Sequence, residues 1–141
     1  MVNINREKMK NKPITFLTFQ GKAEAAMNHY VEIFDNCEII DIKRYGKNES
    51  GETGSVMHAT FTLNGSEFMC IDSNVEHEWT FTPAVSIYIN CESENEIDQL
   101  FQKLSEGGKV FMELDTYDFS QKYAWVADRF GVSWQLNLEK N

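Results

Sequence analysis

Positive charge is scarce in this 141-residue sequence: 13 Lys and Arg side chains oppose 22 Asp and Glu, leaving a net charge of −9 at pH 7. So acidic a chain repels phosphate backbones and anionic bilayers, and neither nucleic acid nor a membrane is an expected partner. The local exception is residues 1–12, where Arg6, Lys8, Lys10 and Lys12 oppose only Glu7. That stretch reads as a flexible, solvated N-terminal arm. Cysteine is equally sparse. Cys37, Cys70 and Cys91 are odd in number, widely spaced and free of any C-x-x-C or Cys/His zinc pattern. Reduced thiols in a cytoplasmic protein are the simplest expectation. No apolar run approaches the roughly 20 residues of a membrane span. Nothing before Pro13 resembles the apolar stretch of a secretory signal.

Apolar residues are plentiful, at 42% with 13% aromatic. The length suits one domain, and a chain of this size buries roughly two-thirds of its unfolded surface, so no metal or disulfide is needed for stability. Residues 13–19 are short and β-prone, and Gln20-Gly21 breaks them. Ala23, Ala26, Met27, Tyr30, Val31 and Phe34 then recur at i, i+3, i+4, i+7, i+8 and i+11, one face of a helix. Asp35-Asn36 ends it. Strands are predicted over 37–45, 56–63 and 67–72, with a polar loop at 46–54. Asn64-Gly65 marks a tight hairpin, because both residues tolerate positive φ.

The same order then repeats. Residues 73–82 form a polar linker carrying Trp79 and Phe81. A strand over 84–90 leads to Ser93 and Glu96, spaced as a capping box. Ile97, Leu100, Phe101 and Leu104 supply a helical face, and Gly107-Gly108 a stop. Strands over 109–114, 123–127 and 132–138 follow, the last two paired across Asp128-Arg129-Phe130-Gly131. The class is therefore α+β, with two tandem βαβββ modules at 13–72 and 83–138, and a tail at 139–141.

Four stretches carry a family resemblance. They are Ile14-Thr15-Phe16-Leu17-Thr18-Phe19-Gln20-Gly21 with Ala23-Glu24-Ala25-Ala26, His29-Tyr30-Val31-Glu32-Ile33-Phe34, residues 85–91 with Gly107-Gly108, and Asp128-Arg129-Phe130-Gly131-Val132-Ser133-Trp134-Gln135-Leu136. With these the chain resembles the PhnB-like branch of the vicinal-oxygen-chelate superfamily, the glyoxalase and bleomycin-resistance proteins. The resemblance implies a curled mixed sheet, forming a cup that binds ligand. The branch often bears the label 3-demethylubiquinone-9 3-methyltransferase. Methyl transfer is not expected here, since no glycine-rich loop follows the first strand to hold a nucleotide-like cofactor. Metal-dependent members place ligands at positions equivalent to Ile14, Cys70, Ala84 and Gln135. Only Cys70 among them is a strong ligand, so no metal and no other cofactor is expected. His77 with Glu76 and Glu78 reads as a solvated charge cluster.

Strand side chains alternate between faces. Val85, Ile87 and Ile89 oppose Ala84, Ser86 and Tyr88. Trp134, Leu136 and Leu138 oppose Ser133, Gln135 and Asn137. Met69 and Ile71 oppose Phe68, Cys70 and Asp72, and Met57, Ala59, Phe61 and Leu63 oppose His58, Thr60 and Thr62. Each strand thus shows an apolar face, expected under the helices, and a face of mixed polarity. A solvated face would carry Lys, Glu and Thr. Phe16, Thr18, Phe68, Cys70, Ser86, Tyr88, Gln135 and Asn137 instead combine aromatic walls with neutral hydrogen-bonding groups, and are the expected ligand-binding residues. Alternatively, the aromatics only fill the interior where the modules meet.

His58, Cys70 and Asp72 are weak catalytic candidates, as the groups on that face able to titrate usefully. No Lys or Arg shares the face to lower the Cys70 pKa, so an inert thiol is the simpler expectation. The expected function is metal-independent binding of a small, partly aromatic or amphipathic molecule. The alternatives are acid–base catalysis on a small oxygenated substrate and metal-dependent lyase or dioxygenase chemistry. Exposed sheet edges further suggest a homodimer.

Overall fold

The computed structural model describes residues 11–141, so most of the basic arm expected at 1–12 lies outside the described residues. The chain divides into two compact units between Asn74 and Val75. The first holds β1 (Thr15–Phe19), α1 (Ala23–Ile33), β2 (Cys37–Arg44), β3 (Val56–Leu63) and β4 (Ser66–Asp72). The second holds β5 (Ile87–Cys91), α2 (Glu94–Ser105), β6 (Lys109–Tyr117), β7 (Ser120–Ala127) and β8 (Ser133–Leu138). Each unit is thus a βαβββ module with its own four-stranded mixed sheet, in the orders β1-β4-β3-β2 and β5-β8-β7-β6. In each, the first strand pairs in parallel with the last, and the other pairs are antiparallel. No helix among the described residues is long and apolar enough to cross a membrane.

In the first module, α1 buries Ala23, Ala26, Met27 and Tyr30 of the face read from the sequence, with Phe34 just beyond it, while Val31 at the edge of that face is exposed. Tyr30 meets Phe61 of β3 at 6.2 Å between ring centroids, and Phe61 stacks on Phe68 of β4 at 5.1 Å. The helix lacks a local side-chain cap at Lys22. Its start is held instead from β4. Asp72 Oδ1 accepts the Gly21 and Ala23 N–H groups at 2.8 and 2.9 Å, and Oδ2 accepts the Val56 N–H at 2.9 Å. One buried carboxylate therefore ties β4 to the start of α1 and the start of β3. Its charge also complements the helix dipole. The β3–β4 turn is the expected tight one, with φ of 50° at Asn64 and 87° at Gly65.

In the second module, Ile97, Leu100 and Leu104 are the buried face of α2, which packs across β7 and β8. The capping box forms with a variation. Ser93 Oγ accepts the Glu96 N–H at 3.1 Å, but Glu96 Oε1 accepts from the Glu92 amide at 2.7 Å. Gly108 is required by close approach, since a Cβ there would lie 2.0 Å from the Ala127 carbonyl oxygen. Asp128 organises the β7–β8 loop. Its Oδ1 accepts the Phe130 and Val132 N–H groups, and its Oδ2 accepts from Trp134 Nε1, all at 2.9–3.0 Å.

Two expectations change. The strand predicted from residue 84 begins at Ile87, because its parallel partner β8 begins only at Ser133 and pairs Trp134 with Ile87. Val85 consequently leaves the apolar face and is 78% exposed. The loop expected at 116–121 contracts to a tight turn, since β6 runs on to Tyr117 and β7 starts at Ser120.

Replacing Asp72 by Ala orphans three backbone donors, each costing roughly 1–3 kcal/mol when left buried and unpaired. Urea unfolding of Asp72→Ala is expected to show a loss of about 3 kcal/mol or more. A loss below about 1 kcal/mol would contradict this role for the carboxylate.

Candidate functional site

Residues paired directly across two strands share a sheet face, so strand register decides what each module presents opposite its helix. In the second module, Trp134, Leu136, Ala124 and Val126 are fully buried on the helix side. The opposite face is built in two cross-strand rows. One runs Tyr88–Gln135–Trp125–Met112, the other Asn90–Asn137–Tyr123–Asp115.

Neutral side chains interlock across these rows. Tyr123 Oη donates to Gln135 Oε1 at 2.5 Å. Trp125 Nε1 donates to Ser133 Oγ at 2.9 Å, and Ser133 Oγ lies 2.7 Å from Ser86 Oγ. Asn137 Nδ2 donates to Asn90 Oδ1 at 2.9 Å, while the buried Asn137 Oδ1 accepts no hydrogen bond. Tyr117 and Phe119, at the β6–β7 turn, pack edge-on against Tyr123 at 5.8 and 5.0 Å. Burial, then the neighbouring Tyr88 and Tyr117, push the Tyr123 phenol up. Tyr88 is 51% exposed beside this network.

Ser86, Tyr88, Gln135 and Asn137 therefore lie together, as the alternation along β5 and β8 predicts. Tyr123, Trp125 and Ser133 belong to the same group and were not singled out from the sequence. Counting outward from the β7–β8 hairpin pairs Trp125 with Gln135 and Tyr123 with Asn137, which is the signal that identifies them.

The first module departs from expectation at β4. Phe68 and Cys70 were expected on the open face but lie on the helix side. The register pairs Phe68 with Phe61 and Cys70 with both Ala59 and Leu17, all of them core residues. Asp72, at 4% exposure, is on the same side and fully engaged with backbone amides. The open face instead carries Phe16 and Thr18 of β1, Met69 and Ile71 of β4, and His58 and Thr60 of β3. Phe16 is half exposed, with its ring 6.4 Å from that of His58. Toward β2 the face becomes charged, with Lys43 opposite His58 and Asp41 opposite Thr60.

These positions bear on chemistry. Of the catalytic candidates only His58 is on an open face. Burial, and secondarily Asp72, push the Cys70 thiol up to about 12, the opposite of an activated nucleophile. The positions expected to match metal ligands can be placed within each module. Cys70 is in the core, Ile14 and Ala84 precede β1 and β5, and Gln135 is on the open face of the second module. A neutral amide among aromatic and aliphatic neighbours does not suit a divalent ion. Among the described residues no group of three or more His, Cys, Asp or Glu is arranged so that it could hold a metal ion.

Comparison with known proteins places these features in a lineage. The model of the family described as 3-demethylubiquinone-9 3-methyltransferase matches residues 11–137. The solved structure of a PhnB protein from Bacillus cereus is 57% identical, covers 91% of this chain and 99% of its own, and superposes with a TM-score of 0.88. Protein YjdN of Escherichia coli K12 is 23% identical over 86 residues, a match spanning 61% of this chain and 58% of YjdN. A glyoxylase/bleomycin resistance protein/dioxygenase domain from Frankia sp. EAN1pec shares the fold at 15% identity, with a TM-score of 0.63 and 94% of each chain covered.

Burial also raises the Cys37 thiol to about 11 and the Cys91 thiol to about 12, from an ordinary 9.0. Raised thiol pKa values stabilise the fold fully below pH 9, and that contribution is lost as pH climbs through 11–12. Native protein at pH 8 is therefore expected to react with iodoacetamide far more slowly than after unfolding. Half-buried Cys37 should be modified first, and Cys70 last or together with Cys91. Fast, selective labelling of Cys70 by mass spectrometry would contradict the inert-thiol assignment.

Proposed function

For a chain that belongs to the 3-demethylubiquinone-9 3-methyltransferase family, in its PhnB-like branch, and that has the glyoxalase/bleomycin-resistance fold, we propose metal-independent binding of a small, partly aromatic or amphipathic molecule. The observation carrying this proposal is the open face of the second module. A solvated sheet face bears charged side chains. This one bears aromatic rings and interlocked neutral amides and hydroxyls over β5, β8 and β7, with one carboxylate, Asp115, at the β6 edge, the composition of a ligand surface.

Methyl transfer has less support. Nucleotide-like cofactors are held where a glycine-rich turn opens a helix and its free amides meet the anion. Here the amides at the start of α1 are occupied by Asp72, and a single glycine, Gly21, lies between β1 and α1. Acid–base catalysis would fall to His58, since Cys70 and Asp72 are built into the core.

A panel of small aromatic amphiphiles in a thermal-shift assay tests the proposal. At least one class is expected to raise the melting temperature, and chelator treatment is expected to leave that rise intact. Tyr88→Ala should weaken binding about tenfold, the contribution of one aromatic contact, with little change in the free protein because Tyr88 is half exposed. A panel that never shifts the melting temperature, or a shift abolished by chelation, would overturn it. We also propose a homodimer, with edge strands β1, β2, β5 and β6 available for pairing. Light scattering at micromolar concentration is expected to give twice the 16.3 kDa chain mass, and a value equal to it would contradict the dimer.

A further inference from the structure

The hydrogen-bond network on the second module has a direction. Trp125 Nε1 can only donate, and it donates to Ser133 Oγ. Ser133 is 2% exposed, so leaving its own proton without an acceptor would carry the penalty of an unmade buried bond. Among the described residues its one other side-chain hydrogen-bond partner is Ser86 Oγ at 2.7 Å. Ser133 therefore donates to Ser86, and the half-buried Ser86 keeps a free O–H.

The second relay runs the same way. Among the described residues the Tyr123 hydroxyl has one hydrogen-bond acceptor, Gln135 Oε1. That bond holds the carboxamide with its oxygen toward Tyr123, leaving the Gln135 Nε2 donors without an acceptor among the described residues, on the open face. Both relays begin at an inner aromatic donor and end at an outward donor. Ser133 and Gln135 are two residues apart on β8, so the relays are separated by about 7 Å along the strand. Tyr88, opposite Gln135 in the register, adds a half-exposed ring.

We propose that the Tyr88–Gln135 row of this face selects ligands by hydrogen-bond polarity: it takes neutral aromatic molecules bearing carbonyl-type acceptor oxygens, received by Gln135 Nε2 and the Ser86 hydroxyl. The inference rests on the binding function proposed above and adds the ligand class. Donor-only molecules find no acceptor at Gln135 Nε2; the acceptors on this face are the remaining lone pair of Ser86 Oγ and, in the neighbouring row, Asn137 Oδ1 and Asp115. The chain's net charge of −9 disfavours anionic acceptors.

Three para-substituted or simple benzenes separate the possibilities by calorimetry or ligand-observed NMR: diacetylbenzene (acceptors), diethylbenzene (neither) and benzamidine (donors only). Wild-type protein is expected to bind diacetylbenzene about tenfold more tightly than diethylbenzene, the effect of one to two net hydrogen bonds. Gln135→Glu keeps the oxygen that Tyr123 bonds and removes the outward donor. It should lose that tenfold preference and gain benzamidine binding. Ser86→Ala should lose a smaller part, which keeps the test alive if the Gln135 variant folds poorly. Equal binding of diacetylbenzene and diethylbenzene, unaltered in Gln135→Glu, overturns the polarity assignment but leaves aromatic binding intact. No binding of any of the three to wild-type protein, nor of any aromatic in the wider panel, overturns both.

Discussion

Strand register is the constraint on which the rest of this structure depends. A slip of one residue moves every side chain of a strand to the opposite face. In the first module the register of β4 is held at both ends. The Asn64-Gly65 turn sets its pairing with β3, and the Asp72 carboxylate fastens its far end to α1 and β3. With β4 so placed, Phe68 and Cys70 complete the core under α1, and Met69 and Ile71 face outward. In the second module Asp128 organises the β7–β8 loop, and the pairs Trp125–Gln135 and Tyr123–Asn137 follow. The site is thus a consequence of two well-fixed hairpins.

Much of this was legible in the sequence. The i, i+3, i+4 spacing of α1, the Ser93–Glu96 box and the Asn64-Gly65 turn each fixed an element through local chemistry. The alternation along β5 and β8 placed Ser86, Tyr88, Gln135 and Asn137 on one face. Alternation failed on β4, because Phe68 and Cys70 are as apolar as Met69 and Ile71 and the pattern carries no polarity signal. The missing step was to count across the turn. A two-residue loop at 64–65 pairs Leu63 with Ser66, and therefore Phe61 with Phe68. Since Phe61 is a core residue, Phe68 had to be one also. The start of β5 was not legible, because it depends on where β8 begins some 45 residues later.

The two open faces differ in kind. The first module offers an apolar strip, Phe16 with Met69 and Ile71, grading into the charged edge at β2. The second offers a surface whose polar groups largely satisfy one another and leave a few directed outward. Gln135 supplies a neutral amide already engaged by Tyr123. Such an amide orients a ligand without ionising it. The binding proposed above calls only for such neutral groups, whereas proton transfer needs a group whose pKa lies near the working pH.

The most direct measurement is a nitrogen-edited NMR titration of the protein with para-diacetylbenzene, following the Gln135 side-chain amide and the Trp125 indole. Binding on the open face of the second module predicts a saturable downfield shift of the Gln135 amide protons, while the Trp125 indole proton, already bonded to Ser133, moves little. Saturable shifts confined to other parts of the protein, with the Gln135 amide unmoved, would contradict it.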